Sequence, residues 1–217
     1  MIFIGEICSL TEIVNHSMSK YARSIISIKG FLKEYNVYPA VINQYWKYVC
    51  HLWESTRGVQ FPTFLSEAPY HLQESIKVSA YGYHIYSNYV FGQCHPDFLR
   101  QLIAQLKYEV YFYGNYVAFQ GDINNCIYFV HSGQISVIQE HQDRSENIVA
   151  ELKTGDVFGM VQGLYENTPY NYTYRVARLS VILTLKFYDW NYLLPFFLPS
   201  REEIYKKVNS IPQSEWL

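Results

Sequence analysis

The sequence predicts an α+β fold, in which helical hairpins precede an antiparallel β-roll of the jelly-roll, double-stranded β-helix type. Apolar residues recur at three- and four-residue steps in the first quarter of the chain, as in amphipathic helices. Residues 107–164 instead break into short aromatic and β-branched runs, cut by glycines at near-regular intervals. We therefore expect a helical domain over residues 1–90 and a β-roll with C-terminal helices over residues 91–217.

Two amphipathic helices are expected before residue 60. The first apolar stripe covers residues 10–35 and the second covers residues 41–53. Residues 36–39 separate them, because Pro39 disfavours helix in the residue before it and suits the first turn of the next helix. The two segments are expected to form an αα-hairpin.

Three more helices are expected around the roll. Pro96 should begin one that ends near Leu106, since proline is favoured in a first turn. Residues 188–194 form a short helix that breaks at the following proline. Ser200 and Glu203 form a capping box, which predicts that the last helix begins there and ends at Pro212.

Five runs of strand length lie in the glycine-punctuated region. They are residues 110–113, 116–120, 126–131, 134–139 and 148–153. Residues 174–187 add about two more strands, so the expected roll has eight. Four glycines are interpreted as turn residues with positive φ rather than as a phosphate cradle, namely Gly114, Gly121, Gly133 and Gly155.

Several segments resemble the β-roll of cyclic nucleotide-binding domains. They are Gly114 with Gly121, the run Ile-Tyr-Phe-Val-His-Ser-Gly-Gln-Ile-Ser-Val at 127–137, and Gly-Asp-Val-Phe-Gly at 155–159. The flanks are similar to those of hyperpolarization-activated and cyclic nucleotide-gated cation channels. Residues 64–76 look like the family's linker pattern before a longer helix. The resemblance covers nearly the whole chain and implies a helical C-linker followed by a nucleotide domain.

The same resemblance implies a degenerate nucleotide pocket. Family members follow Phe-Gly with a glutamate for the ribose hydroxyl, and a later arginine binds the phosphate. Here Met160 and Asn171 occupy those two positions, and a thioether sulfur is a poor acceptor. We therefore expect no cofactor, or at most weak binding of cAMP or cGMP. The expected pocket residues are Phe158, Gly159, Met160, Val161, Asn171, Tyr172 and Thr173.

Two further expectations concern this pocket. Arg175 is a possible phosphate partner, although it lies about 13 Å beyond Asn171 on an extended strand. Large side chains near the pocket are expected to cover its apolar lining from within. The candidates are Met160, Tyr170, Tyr172 and residues 196–198.

The resemblance implies the cytoplasmic gating and assembly region of a voltage-gated potassium or sodium channel, with nucleotide binding weak or lost. The partners would be a transmembrane pore of a parent channel and, through the C-linker, a homo- or hetero-tetramer. The chain would be soluble and lie at the cytoplasmic face of the plasma membrane. One alternative is a working cAMP or cGMP sensor of such a channel. The other is a soluble regulatory or interaction subunit.

Composition and motifs argue against other classes of function. A net charge of −2 disfavours a nucleic-acid partner, and no apolar run is long enough to span a bilayer. Paired histidines on one strand, which a metal-binding roll would need, do not occur, so no metal site is expected. No nucleophile motif occurs either, so we expect no catalytic residue and no enzyme. His131, on a predicted core strand, is expected to be hydrogen-bonded and structural.

Overall fold

The fold comes from a computed structural model, which describes residues 22–23, 25–56, 68–140 and 145–212. Two compact units divide the chain, Met1–Ala68 and Pro69–Leu217. The predicted start of the first helix and the segment before residue 68 lie outside the described residues. No helix within the described ranges is both long and apolar enough to cross a membrane.

The first unit contains the two predicted helices. Residues 25–34 are helical (α1), and the second helix (α2) is Pro39–Thr56. Asn36 separates them with a positive φ of 47°, a conformation that asparagine tolerates better than most residues. The break expected from Pro39 is therefore confirmed, and α2 begins at that proline.

The second unit contributes four α-helices to the described residues. They are α3 (Tyr70–Tyr86), α4 (Pro96–Ala104), α5 (Phe187–Trp190) and α6 (Leu198–Asn209). A single 3-10 turn, Asn191–Leu193, follows α5. The proline start of α4 is confirmed, and the imidazole Nδ1 of His95 caps this helix by accepting from the backbone N–H of Asp97 at 3.3 Å.

The predicted capping box at Ser200 is wrong. Helix α6 begins two residues earlier, at Leu198, and no side chain caps its first turn. Ser200 lies inside the helix and is buried. Its hydroxyl oxygen accepts from the backbone N–H of His95 at 3.0 Å, so it joins α6 to the start of α4.

Six strands form one antiparallel sheet. They are β1 (Lys107–Tyr111), β2 (Tyr116–Ala118), β3 (Cys126–Glu140), β4 (Glu146–Lys153), β5 (Val157–Phe158) and β6 (Thr173–Lys186). The order along the sheet is β1-β6-β3-β4, while β2 pairs with β6 and β5 pairs with β3. An α+β fold with a β-roll and flanking helices is thus confirmed.

The expected count of eight strands is wrong, because two strands run continuously where turns were expected. β3 has 15 residues and β6 has 14. Gly133 adopts a φ of 103° inside β3, and the pairing with β6 shifts register on both sides of it. Glycine alone fits there, since a Cβ atom would lie 2.6 Å from the carbonyl oxygen of Leu179. The predicted turn is therefore a bulge.

Two buried clusters lie on opposite faces of the long strands, because successive strand residues alternate between faces. The helix-side cluster joins the helices of the second unit to one face, with Phe91, Phe98, Leu102, Ile103, Ile127, Phe129, Leu183, Leu185, Trp190 and Ile204 among its members. The roll interior comprises Ala118, Cys126, Tyr128, Val130, Ile135, Val137, Leu152, Phe158, Tyr170, Tyr174 and Ile182.

Candidate functional site

Stacked aromatic rings fill the centre of the roll interior. Phe158, on the two-residue strand β5, stacks on Tyr174 with ring centroids 4.2 Å apart and on Tyr128 with centroids 4.9 Å apart. Tyr170 meets Tyr174 edge-on at 5.8 Å. All four side chains are at most 4% exposed. These four rings pack together and fill the centre of the roll interior.

Tyr170 ties the segment before β6 to the segment before β3. Its hydroxyl lies 2.7 Å from the carbonyl oxygen of Cys126, to which it donates, and 2.9 Å from Oδ1 of Asn124. Its backbone N–H donates to Asp122, and its carbonyl accepts from Gly121. These bonds hold the ring inside the roll. Burial also raises the pKa of Tyr170, so the phenol stays neutral.

The turn after β5 directs its side chains to the helix-side cluster. Gly159 adopts a φ of 73°, and a Cβ there would lie 2.7 Å from the carbonyl oxygen of Cys126. Val161 is buried in the helix-side cluster, and Met160 packs against the same cluster. The side chain at the predicted ribose position therefore packs against the helix-side cluster, whereas Phe158 lies in the roll interior.

The three predicted pocket residues at and just before the start of β6 lie in different environments. Asn171, at the predicted phosphate position, is exposed. Tyr172 is half-buried and packs against the roll interior. Thr173 is buried, and its hydroxyl bonds the carboxylate of Glu140 at 2.5 Å while accepting from the backbone N–H of Gln120 at 2.9 Å. Of these three residues, Asn171 is thus exposed, Tyr172 packs against the roll interior, and Thr173 is buried and bonded to Glu140 and Gln120.

Arg175 lies away from the aromatic rings. It alternates with Tyr174 along β6, so the two side chains project from opposite faces of the strand. Its guanidinium Nη1 lies 2.8 Å from Oε2 of Glu146 on β4. A hydrogen bond with Tyr116 and the Glu146 pair raise the pKa of Arg175. The structure does not bring this cation together with the other predicted pocket residues.

A carboxylate stands at the edge of the roll interior instead of a cation. Oε2 of Glu109 accepts from the hydroxyls of Tyr111 at 2.8 Å and Thr184 at 2.9 Å, and Tyr111 packs against the interior. Among the described residues, Lys207 is the single buried lysine or arginine, and it lies on α6. A negative charge here disfavours an anionic ligand.

Sequence reasoning missed three residues of this site: Tyr128, Tyr174 and Glu109. A signal existed for Tyr174, because Tyr170, Tyr172 and Tyr174 recur at every second position, which places side chains on one face of an extended segment. Of the residues expected to cover the lining, Tyr170 and Tyr172 contact the interior. Phe196 is 81% exposed, and Phe197 packs against the helix-side cluster.

Comparison with known proteins identifies a domain profile and several channels that this chain resembles. The sequence profile of the cyclic nucleotide-binding domain matches residues 109–194. The potassium channel SKOR of Arabidopsis thaliana is 32% identical over 133 residues, which is 61% of this chain and 16% of that protein. The cyclic nucleotide-gated channel rod photoreceptor subunit alpha of Gallus gallus is 23% identical over 158 residues, 73% of this chain and 24% of that protein.

A rice relative, the potassium channel KOR2 of Oryza sativa subsp. japonica, is 29% identical over 115 residues, which is 53% of this chain and 16% of that protein. The chain thus spans less than a quarter of the length of these relatives. All three are channels, and the matched domain is a binding module. The prediction that the chain is not an enzyme agrees with these relatives.

Proposed function

We propose that this chain is the gating and assembly region of a tetrameric voltage-gated cation channel, because residues 109–194 match the profile of the cyclic nucleotide-binding domain and the relatives described above are potassium and cyclic nucleotide-gated channels. In this role it would lie at the cytoplasmic face of the plasma membrane and act on the pore of a parent channel. We further propose that its nucleotide binding is weak or lost.

The filled roll interior is the observation that carries the second part of the proposal. Phe158 is held between Tyr128 and Tyr174, and Tyr170 closes against them. A ligand base would have to displace rings that are already close-packed. Displacement would expose apolar area to water and break the two hydrogen bonds of the Tyr170 hydroxyl.

Electrostatics act in the same direction. A cyclic nucleotide needs a partner for its phosphate and an acceptor for its ribose hydroxyl. Asn171 carries no positive charge, the Met160 thioether is a poor acceptor, and Arg175 is engaged by Glu146. Charge-assisted hydrogen bonds contribute roughly 1.5–3 kcal/mol each. Losing two of them weakens binding by about 10²–10⁴-fold, since about 1.4 kcal/mol is a factor of ten.

The assembly part of the proposal is supported by the first unit. Its helices and the turn between them expose several large apolar side chains. They are Ile26 (70% exposed), Phe31 (56%), Tyr35 (66%), Tyr38 (75%) and Val41 (52%). Apolar surface concentrated in this way is typical of a protein interface. We propose that these helices belong to a C-linker, ending near residue 90, through which four subunits meet.

A thermal-unfolding titration with cAMP and cGMP tests the loss of binding. A ligand present at 100 times its dissociation constant adds about 2.7 kcal/mol to stability, which raises the melting temperature by about 5–10 °C for a domain of this size. We expect a shift below about 1 °C for either nucleotide at about 1 mM. A shift of several degrees at micromolar nucleotide would support the alternative of a working sensor.

Sedimentation equilibrium tests the assembly part independently. We expect concentration-dependent association of the wild type, which Phe31→Ala combined with Tyr38→Ala weakens by removing exposed apolar area. Tyr113→Ala is the control, because Tyr113 is even more exposed, at 81%, but lies in the second unit, beside the roll. A wild type that stays monomeric at all concentrations would contradict assembly through these helices.

A further inference from the structure

Two histidines form a direct contact between α3 and β3. Nε2 of His84 lies 3.0 Å from Nδ1 of His131, and the ring centroids are 5.2 Å apart. His84 is 6% exposed and His131 is half-buried. The expectation that His131 is hydrogen-bonded is confirmed, but its partner lies 47 residues away in the sequence, so no local pattern pointed to it.

This contact requires a particular protonation state. A hydrogen bond between two ring nitrogens needs one proton between them, so at least one imidazole presents a lone pair. The other nitrogen of His84, Nδ1, is buried and has no hydrogen-bond partner within the described residues. When His84 is neutral and its Nε2 donates to His131, its buried Nδ1 carries a lone pair. Only a hydrogen-bond acceptor is then left unpaired at Nδ1. A donor left unpaired would be more costly.

Adding protons breaks this arrangement. A proton on Nδ1 of His84 would create a buried positive charge without a partner. A proton on each facing nitrogen would set two N–H groups against each other at 3.0 Å. Burial and, to a smaller extent, His131 lower the pKa of His84 from its ordinary value.

The surroundings offer no counter-charge. Tyr81, also on α3, stands edge-on to His131 at 5.7 Å and packs against Tyr108 of β1 at 6.5 Å. Tyr83 lies beside His84 at 5.8 Å. Next to His131, the β6 residues that pair with β3 are the apolar Val181 and Ile182. No carboxylate within the described ranges pairs with either imidazole.

The nearest cations on the neighbouring elements are engaged elsewhere. Lys77 of α3 donates to the carbonyls of Ala104, the last residue of α4, and of Leu106, two residues beyond it. Lys107 of β1 pairs with Asp189 at 2.5 Å. Both are cations, so neither supplies a counter-charge to a protonated histidine.

We propose that the His84–His131 pair is a proton-operated contact that holds α3 on the roll when neutral and releases it when protonated. The sign follows from linkage. His84 binds its proton less readily in the folded state, so its contribution to stability is complete above the ordinary histidine pKa of about 6.5. That contribution is lost as the pH falls below this value. Mild acid therefore loosens α3.

Hydrogen exchange of the α3 backbone amides, corrected for intrinsic rates, tests the proposal. Between about pH 7.5 and pH 5.5 we expect exchange of these amides to rise by about tenfold in the wild type. His84→Gln keeps a hydrogen-bonding side chain that cannot titrate, so its α3 amides should show no such rise. Wild-type pH dependence retained in this variant would overturn the proposal.

A control and a second readout keep the test decisive. His71→Gln changes another histidine of α3, whose side chain is 87% exposed and lies 3.6 Å from the Glu74 carboxylate, so the acid-induced rise should persist in that variant. If His84→Gln does not fold, the wild type is followed by NMR of its imidazole nitrogens. Protonation of His84 while its contact with His131 remains intact would also overturn the proposal. No step requires nucleotide binding or assembly, so either proposal can fail alone.

Discussion

The helix-side cluster and the roll interior share the strands β3 and β6 but differ in the chemistry of their side chains. Ile127 and Phe129 point into the first, whereas Tyr128 and Val130 point into the second. The helix-side cluster is mainly aliphatic, with Trp190 at its centre. The roll interior is rich in tyrosine, and its rings carry hydroxyls that need partners. Apolar packing stabilises the first region, whereas the second combines ring stacking with hydrogen bonds of tyrosine hydroxyls.

The largest expected effect breaks the helix-side cluster. Trp190 is fully buried and meets Phe91, Phe98 and Phe187 edge-on, with ring centroids 5.7–6.1 Å apart. Trp190→Ala should lower the free energy of unfolding by about 3–5 kcal/mol, because it leaves a large cavity. Chemical denaturation measures this loss of unfolding free energy. Phe196→Ala, at an 81% exposed aromatic residue, should change stability by less than about 0.5 kcal/mol, and equal losses would contradict the cluster assignment.

The next effect concerns the turn that borders both regions. Gly159→Ala combines a positive φ of 73° with a Cβ only 2.7 Å from a carbonyl oxygen, so we expect a loss of about 2–4 kcal/mol. Gly114→Ala has a similar φ of 82° and open space around its Cβ, so only the backbone term of about 1–2 kcal/mol remains. Urea denaturation of the two variants separates the cost of crowding around the added Cβ from the cost of the positive φ. Equal losses would show that crowding contributes nothing.

A matched pair of hydroxyl deletions sharpens the description of the roll interior. Tyr170→Phe removes a hydroxyl with two partners and should cost about 1–3 kcal/mol of unfolding free energy. The hydroxyl of Tyr174 is buried without a partner in the described part of the chain, so Tyr174→Phe should be neutral or stabilising. Thermal unfolding distinguishes them. A larger loss from the Tyr174 variant would mean that its hydroxyl is satisfied in solution.

The smallest effect lies outside both regions. Arg175 and Glu146 form a partly exposed ion pair, and such pairs contribute about 0.2–1 kcal/mol. Arg175→Ala should therefore lower stability by less than about 1 kcal/mol, and by less still at high salt. The shift in melting temperature that cAMP causes in this variant should match the shift that it causes in the wild type. A nucleotide response present in the wild type and lost in this variant would restore Arg175 as a phosphate partner.

Local signals predicted the elements well. Pro39 and Pro96 mark the first residues of α2 and α4 because the ring presets φ, and positive φ values at Gly114, Gly121 and Gly155 confirm three predicted turns. Gly133 also has positive φ, yet it bends β3 rather than ending it. Whether such a glycine makes a turn or a bulge depends on the partner strand, which sequence alone does not show.

The directions in which the side chains of the site point were harder to predict from the sequence. Phe158 was expected in the pocket and Tyr170 was expected to cover its lining, and both lie in the roll interior, but Met160 packs against the helix-side cluster. The stacking of Tyr174 on Phe158 and the His84–His131 contact join residues 16 and 47 positions apart. Such contacts arise from strand pairing and helix docking, so no sequence spacing encodes them.

The claim that the chain's own rings close the roll is tested most directly by NMR contacts between Phe158 and Tyr174. Their centroids lie 4.2 Å apart, within the reach of ring-to-ring nuclear Overhauser effects. The account predicts that these contacts are present in the free protein and unchanged by cAMP or cGMP at about 1 mM. Their loss on addition of nucleotide, with a saturable dependence on its concentration, would contradict it.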